Sequence, residues 1–415
     1  MFKKILGTGL TRVLNLVIGF ATMLMGTNML GATEWGYCFM ILTDVTFLMI
    51  GIEFIVGGGL VYFTPRKPLS TLMKVSYLWI VIVMSVYAVV FGTLTYFFPE
   101  SIEAIMPKSY VGYTLLLTFV YSFHNFNLSV LLGKEKVGAY NWVFLLQIFI
   151  QVSSMALMIF VFDIKDAHAF VYSLLCGYTT ALLIGLTQVL PMLKKDENLP
   201  ILSTAKEMLA YNSVIVLTSL VTILNRRMSM FLISNSNKCT EEDMGVYGAG
   251  TQVGEGIKVF GVSIAMVQFS RLSNLKNQEE AVNLTIKFLF LSVGLTFLAL
   301  IIVNFLPVEL YEWIFSKDFS EVKKIILYMS PGMLFYSAHA IFTHYFSGTG
   351  KPKYNLYATL VGLAVTVPCT FALVPLMGIL GAAASFSGTY LAIMLYQWLV
   401  FRRITKVSIF AKRKK

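Results

Sequence analysis

Apolar runs long enough to cross a lipid bilayer recur along the whole chain, and this feature constrains the fold most strongly. A membrane-spanning helix needs roughly 20 apolar residues. Charge-free runs of about that length or more are 13–33, 75–98, 109–133, 137–162, 167–193, 288–308, 325–350 and 354–401. The last run is long enough for two spans, which the turn from Pro375 to Gly378 separates. Three more runs are interpreted as spans despite internal charges: 35–63, 211–234 and 245–270. The sequence therefore predicts about twelve transmembrane helices.

The composition excludes a water-soluble enzyme. Hydrophobic residues make up 57% of the 415 residues and charged residues only 13%, with a mean hydropathy of +0.76. An average soluble domain has about 25% charged residues. The alternating ten-residue pattern of an outer-membrane barrel is absent from the sequence. We therefore expect an all-α integral membrane protein.

The net charge of +11 does not indicate nucleic-acid binding, because the basic residues are unevenly placed. If the N-terminus is cytoplasmic, most of the 32 lysines and arginines fall in inner loops and at the two termini. This bias is the positive-inside signal, and it places basic charge near anionic lipid. It predicts a multi-pass membrane protein with both termini in the cytoplasm. The first span has no cleavage site and is interpreted as retained.

The chain divides into two predicted halves. The polar segment 191–210 contains two prolines and follows the sixth span, so it predicts a cytoplasmic linker. It joins six-helix bundles at 1–190 and 211–402, and a basic cytoplasmic tail covers 403–415. Each half contains Gly-Lys-x-Lys and then Tyr-Asn before a span. This match predicts parallel repeats with substrate between them near the midplane, although short loops also match by chance.

Charged residues inside spans are costly and are therefore the most informative positions. Arg226 and Arg227 follow a polar stripe in span 211–234. At least one of them is predicted to bind substrate, and snorkelling to the outer headgroups is the alternative. Glu255 and Lys258 have the i, i+3 spacing of an internal ion pair, which is as plausible as a substrate or coupling role. Arg12 is a further candidate for substrate binding, again with snorkelling as the alternative.

Other polar residues extend this set of candidates. Asp44 is the better candidate of two acids in span 35–63 for coupling to a proton or cation. Polar positions predicted to contact substrate are Asn125, Gln147, Gln151 and His339, although interhelical hydrogen bonding is the plainer interpretation of each. No nucleotide-binding, metal-binding or Ser-His-Asp motif is present, so neither a cofactor nor a metal is expected.

The layout resembles a known superfamily of exporters. The features are Lys3-Lys4 running into the first span, the segment LGATEWGY at 30–37, and the Gly-Lys-x-Lys loops. Together with twelve spans in two parallel halves, they resemble the multidrug/oligosaccharidyl-lipid/polysaccharide exporter superfamily. Within it, the chain is most similar to bacterial O-antigen and exopolysaccharide repeat-unit flippases of the Wzx type. The resemblance implies a V-shaped pair of bundles with alternating access and a basic central cavity. The residues that could supply its charge are Arg226, Arg227, Lys258 and Arg12, and much of that charge is offset by Asp44, Glu53 and Glu255.

This resemblance implies the flipping of undecaprenyl-diphosphate-linked oligosaccharides from the inner to the outer leaflet, which is transport and not enzymatic catalysis. Energy would come from a proton or sodium gradient or from consumption of the product outside. Membrane lipids, a polysaccharide polymerase and chain-length proteins are the expected partners. Two alternatives stay open: a cation-coupled exporter of drugs or metabolites, and a membrane-embedded polysaccharide polymerase.

Overall fold

The computed structural model describes residues 2–30, 32–100, 108–193, 199–234, 239, 241–275, 277–315 and 321–406. These residues form helices joined by short connections, and no strand occurs within the described ranges. The predicted all-α class is confirmed. A helix satisfies its backbone hydrogen bonds within itself, which a chain crossing hydrocarbon requires.

The described ranges contain fourteen α-helices. They are α1 (Phe2–Met29), α2 (Ala32–Glu53), α3 (Gly58–Phe63), α4 (Leu69–Phe97), α5 (Val111–Gly133), α6 (Val137–Phe160), α7 (Ala167–Val189), α8 (Ile201–Ser234), α9 (Glu241–Asn274), α10 (Gln278–Phe305), α11 (Val308–Phe315), α12 (Val322–Gly348), α13 (Lys353–Met377) and α14 (Ile379–Thr405). Single 3-10 turns occur at Lys108–Tyr110 and Leu190–Met192.

Twelve of these helices, all but α3 and α11, have between 22 and 34 residues and correspond to the twelve predicted spans. Among the described residues, nine helices are both long and apolar enough to cross a membrane. The other three long helices, α1, α2 and α9, coincide with the predicted spans 13–33, 35–63 and 245–270. The predicted turn after Pro375 is also present, because Gly378 separates α13 from α14 with a φ of 61°.

The chain forms two compact units, Met1–Val216 and Leu217–Lys415. The boundary falls inside α8, which begins at Ile201 within the predicted linker 191–210. The second part of the predicted linker is therefore helical. Alanine, leucine, lysine and glutamate dominate 204–210 and favour helix, so this segment continues into the following span.

In the N-terminal unit, the predicted span 35–63 is interrupted. Residues 54–57 separate α2 from the short α3, and three consecutive glycines begin at Gly57. Glycine favours such a break because it stabilises a helix least among residues other than proline. The helices α5, α6 and α7 of this unit pack together, and α1 lies along α6.

Side chains from other helices satisfy the carbonyl groups that this break exposes. Asn212 Nδ2 donates to the carbonyl of Ile55 at 3.1 Å, and Asn125 Nδ2 donates to that of Val56 at 3.4 Å. Buried backbone carbonyls need such partners. The break is therefore a bonded element of the unit and not a frayed helix end.

In the C-terminal unit, α9, α12 and α14 pack against one another, and α13 lies along α14. Glycines allow the close approach. A Cβ atom at Gly250 would lie 2.6 Å from Ile325 Cγ2, and one at Gly332 would lie 2.7 Å from the Cα atom of Ser387. Gly250 therefore lies on the face of α9 that packs against α12.

Candidate functional site

A cavity of about 220 Å³ lies inside the C-terminal unit, between five of its helices. Its lining combines hydroxyl groups, aromatic rings, an amide, an imidazole and one ion pair. The lining residues are Thr222, Asn225, Tyr247, Thr251, Glu255, Lys258, Met329, His339, Thr359, Thr366, Phe386, Thr389, Tyr390 and Ile393. An apolar pocket with a few convergent polar groups is the usual form of a ligand site.

Helix α8 contributes the polar stripe that the sequence predicted. Thr222 and Asn225 are three residues apart, share one helix face and line the cavity. Asn225 Nδ2 donates to the carbonyl of Thr359 at 3.2 Å and links α8 to α13. Arg226 and Arg227 follow on the same helix, and their side chains lie outside what the structure describes.

Helix α9 contributes an ion pair near its middle. Lys258 Nζ lies 3.0 Å from Glu255 Oε1, which confirms the expected i, i+3 contact. The lysine side chain is 7% exposed and that of the glutamate is 48% exposed. The ammonium also lies 4.7 Å from the ring centroid of Tyr336 and 4.9 Å from that of Phe386. The ion pair and the ring faces together stabilise a cation that burial would otherwise destabilise.

Helix α12 places His339 at the cavity wall. Its Nδ1 atom lies 2.9 Å from Gln397 Oε1 and 3.3 Å from Thr343 Oγ1. Gln397 Nε2 in turn donates to Asn355 Oδ1 at 3.0 Å. This buried network joins α12, α13 and α14 and holds the imidazole in one orientation.

Among the candidates of the N-terminal unit, Arg12 contacts aromatic side chains of α6. Arg12 donates from Nη2 to the Tyr140 hydroxyl at 3.1 Å, and its guanidinium carbon lies 5.0 Å from the centroid of the Phe144 ring. Arg12 is thus a partly buried cation beside aromatic rings, whereas Lys258 is buried.

The remaining candidates of this unit contact their neighbours. Gln147 Nε2 donates to Gln151 Oε1 at 3.1 Å, and Asn125 bonds to the α2–α3 break. Asp44 is half-buried in α2, and its Oδ2 atom has no hydrogen-bond partner among the described residues. The structure therefore brings Lys258, Glu255 and His339 together in one cavity, whereas Arg12, Asp44, Asn125 and the two glutamines belong to the other unit.

Sequence reasoning missed the aromatic wall and the partners of His339. Tyr336, Phe386, Tyr390, Asn355 and Gln397 come from helices distant in sequence from Lys258. The threonine spacing 359, 366 and 370 in α13 is a signal that could have indicated a polar helix face. Within the described ranges, no group of three His, Cys, Asp or Glu residues could hold a metal ion.

Comparison with known proteins gives one family match. The family model described as lipid II flippase MurJ matches residues 66–414. Among solved structures, the Vibrio cholerae MATE transporter VcmN in the bent form has a TM-score of 0.77 and 14% identity, and the match covers 97% of each chain. At this identity the likeness shows the fold alone.

Two curated relatives match over shorter stretches. Capsular polysaccharide biosynthesis protein CapF of Staphylococcus aureus is 26% identical over 149 residues, which are 35% of this chain and 38% of that protein. The probable low-salt glycan biosynthesis flippase Agl15 of Haloferax volcanii is 23% identical over 228 residues, 53% of this chain and 46% of that protein. The chain thus matches less than half the length of each of these relatives.

Proposed function

Since the chain belongs to the lipid II flippase MurJ family, we propose that it flips undecaprenyl-diphosphate-linked oligosaccharide repeat units from the inner to the outer leaflet of the bacterial cytoplasmic membrane. Family membership confirms the broader expectation, a lipid flippase of the superfamily that the sequence resembles. The Wzx-type substrate, the cytoplasmic termini and the role in surface polysaccharide synthesis are parts of the proposal.

The observation that carries the proposal is the buried ammonium of Lys258 in a polar and aromatic cavity. A charge near the middle of a membrane helix costs about 2.5–3.5 kcal/mol on insertion scales, so it marks a functional position. The ammonium lies 3.0 Å from the Glu255 carboxylate and lines the cavity. A diphosphate oxygen of the substrate can therefore replace the carboxylate as its partner, or bind the ammonium together with it. Such an exchange keeps the cation paired before and after substrate binding.

The remaining lining suits a glycan more than a lipophilic drug. Threonine hydroxyls, one amide and one imidazole supply hydrogen bonds, and Tyr390 and Phe386 supply flat apolar faces. In the proposed mechanism, the saccharide occupies this cavity while the polyprenyl tail stays in lipid. Arg226 and Arg227 are proposed to add bidentate donors to the diphosphate, because guanidinium geometry matches its oxygens.

The names of the relatives favour a surface glycan as cargo. One is described as a capsular polysaccharide biosynthesis protein and the other as a glycan biosynthesis flippase. The family description names lipid II, which shares the diphosphate and saccharide chemistry. Arg12 is proposed as a second anion-binding residue, with Asn125, Gln147 and Gln151 as glycan contacts in that unit. Asp44 and Glu255 are proposed to couple transport to a proton or sodium gradient.

A deletion strain tests this function. We expect lipid-linked repeat units to accumulate in the inner leaflet, surface polysaccharide to disappear, and drug sensitivity to stay unchanged. Intact polysaccharide with increased drug sensitivity would instead support a cation-coupled exporter. Repeat units that reach the outer leaflet but remain unpolymerised would support a polymerase, and loss of peptidoglycan synthesis would identify lipid II as the cargo.

A further inference from the structure

Among the cavity residues, His339 is the one whose hydrogen-bonding role is defined most fully by the hydrogen bonds of its neighbours. The imidazole lines the cavity from α12 and lies beside two aromatic rings that also contact each other. Its ring centroid is 5.9 Å from that of Tyr336 and 5.8 Å from that of Tyr390. A sugar placed in the cavity would meet these aromatic faces and the imidazole together.

A backbone carbonyl sets the direction of the amide hydrogen bonds that lead to this ring. Asn355 Nδ2 donates to the carbonyl of Thr343 at 3.0 Å, and a carbonyl can only accept. The other amide atom of Asn355 is therefore its oxygen, which accepts from Gln397 Nε2 at 3.0 Å. The amide oxygen of Gln397 then faces His339 Nδ1 at 2.9 Å.

This chain of donors and acceptors determines which imidazole nitrogen of His339 carries the proton. Because the Gln397 oxygen has no hydrogen, its 2.9 Å contact is a hydrogen bond only when His339 Nδ1 donates, and in that tautomer the neutral ring has its lone pair on Nε2. Within the part of the chain that the structure describes, His339 Nε2 forms no hydrogen bond. His339 thus offers an acceptor at the cavity wall.

Threonines of the cavity are also hydrogen-bond acceptors, because their hydroxyl protons are donated to backbone carbonyls. Thr222 donates its hydroxyl proton to the carbonyl of Thr218 at 2.8 Å, and Thr251 donates to that of Gly248 at 2.7 Å. A hydroxyl has one proton and two lone pairs, so each oxygen can still accept from a ligand. Together with Nε2, these groups make the cavity rich in acceptors beside a single ammonium.

We propose that His339 Nε2 accepts a hydrogen bond from a hydroxyl group of the saccharide headgroup, and that Gln397 and Asn355 are positioning residues that fix the tautomer this requires. The inference rests on the proposed function and assigns separate tasks within one cavity. Lys258 binds the phosphate portion of the ligand, and His339 recognises the sugar. An acceptor-rich wall complements a polyol, which brings many hydroxyl donors.

Binding measurements on the full chain in nanodiscs test whether His339 recognises the sugar separately from phosphate binding by Lys258. The probes are undecaprenyl diphosphate and the same lipid bearing a disaccharide. The variant His339→Asn keeps a donor near the Nδ1 position and removes Nε2. We expect it to bind the glycosylated probe roughly 3- to 10-fold more weakly, the worth of one neutral hydrogen bond, and the bare diphosphate unchanged.

The possible outcomes separate the two proposals. Equal affinity of the wild-type protein for both probes, or an equal loss on both in His339→Asn, overturns sugar recognition by His339 and leaves the flippase proposal standing. A wild-type protein that binds neither probe overturns both. Binding of the bare diphosphate alone contradicts the glycan cargo.

Nitrogen-15 NMR of histidine-labelled protein tests the positioning role directly. The chain has four histidines, so His339→Asn identifies the signal of His339. We expect the wild-type ring to carry its proton on Nδ1, Gln397→Glu to retain this tautomer, and Gln397→Leu to lose it. A wild-type signal from the Nε2–H tautomer overturns the inference, whether or not the Gln397 variants fold.

Discussion

Lys258 Nζ lies 3.0 Å from Glu255 Oε1, one turn earlier on α9, yet the two side chains are unequally buried. The lysine is 7% exposed and the glutamate 48% exposed. The ammonium therefore has little access to water and depends on its partner and on the aromatic rings. The more exposed Glu255 carboxylate can leave the pair and become hydrated at a smaller free-energy cost than the ammonium. Exchange of the carboxylate for an anionic ligand requires this.

The first prediction concerns the stability of this pair. Glu255→Gln should lower the free energy of unfolding by about 1 kcal/mol, because it leaves a buried cation with a weaker partner while the pair remains partly hydrated. Thermal unfolding of the purified protein measures the change. Glu321→Gln is the matched control, because Glu321 forms the same i, i+3 contact with Lys324 at 2.9 Å on an exposed surface. Equal effects of the two variants would contradict the account.

The second prediction concerns the two adjacent arginines of α8. The double variant Arg226→Gln/Arg227→Gln should insert normally and block polymer export, because it removes the proposed diphosphate donors. Surface polysaccharide and membrane-inserted protein are measured in the same cells. Arg402→Gln/Arg403→Gln is the control, since these adjacent arginines are exposed at the end of α14. Wild-type export from the α8 double variant would reject the arginine role.

The third prediction concerns the packing of α12 against α14. Gly332→Ala should destabilise the protein by roughly 1–3 kcal/mol, because its Cβ would lie 2.7 Å from the Cα atom of Ser387. Gly388→Ala is the control, because a Cβ there meets nothing within 4 Å. It should be neutral or stabilising by up to about 1 kcal/mol. Denaturant unfolding distinguishes them, and similar stabilities would argue against this helix contact.

The fourth prediction concerns the broken helix of the N-terminal unit. Asn212→Ala should cost roughly 1–3 kcal/mol, because the Ile55 carbonyl loses its partner in a buried position. Ser213→Ala is the control, since the Ser213 hydroxyl bonds only to the Leu209 carbonyl of its own helix among the hydrogen bonds described. An Asn212→Ala variant as stable as Ser213→Ala would indicate that water replaces the amide.

The helices were largely predictable because hydrocarbon allows the backbone few alternatives. Runs such as 75–98 must form helices, and Gly378 ends α13 where the sequence placed a turn. The break at 54–57 was missed because hydropathy alone does not separate a continuous span from an interrupted one. The glycines at 57–59 were the available signal.

The site was predictable only where its residues share a helix. Glu255 and Lys258 are one turn apart, so their spacing indicated an ion pair before any tertiary structure was known. The rings over Lys258 and the Gln397 partner of His339 come from other helices. Such contacts depend on how helices pack, which local periodicity does not encode. The same limit applies to Arg12 and Tyr140, which meet across α1 and α6.

The most direct test is leaflet-resolved transport by the purified protein. Proteoliposomes are loaded with an undecaprenyl-diphosphate-linked saccharide, and a membrane-impermeant lectin reports the saccharide that reaches the outer leaflet. We expect the wild-type protein and Lys324→Gln to move the lipid, and Lys258→Gln to fall to the rate of protein-free liposomes. Movement by Lys258→Gln at the wild-type rate, or none by the wild-type protein under an imposed proton or sodium gradient, would contradict the central claim.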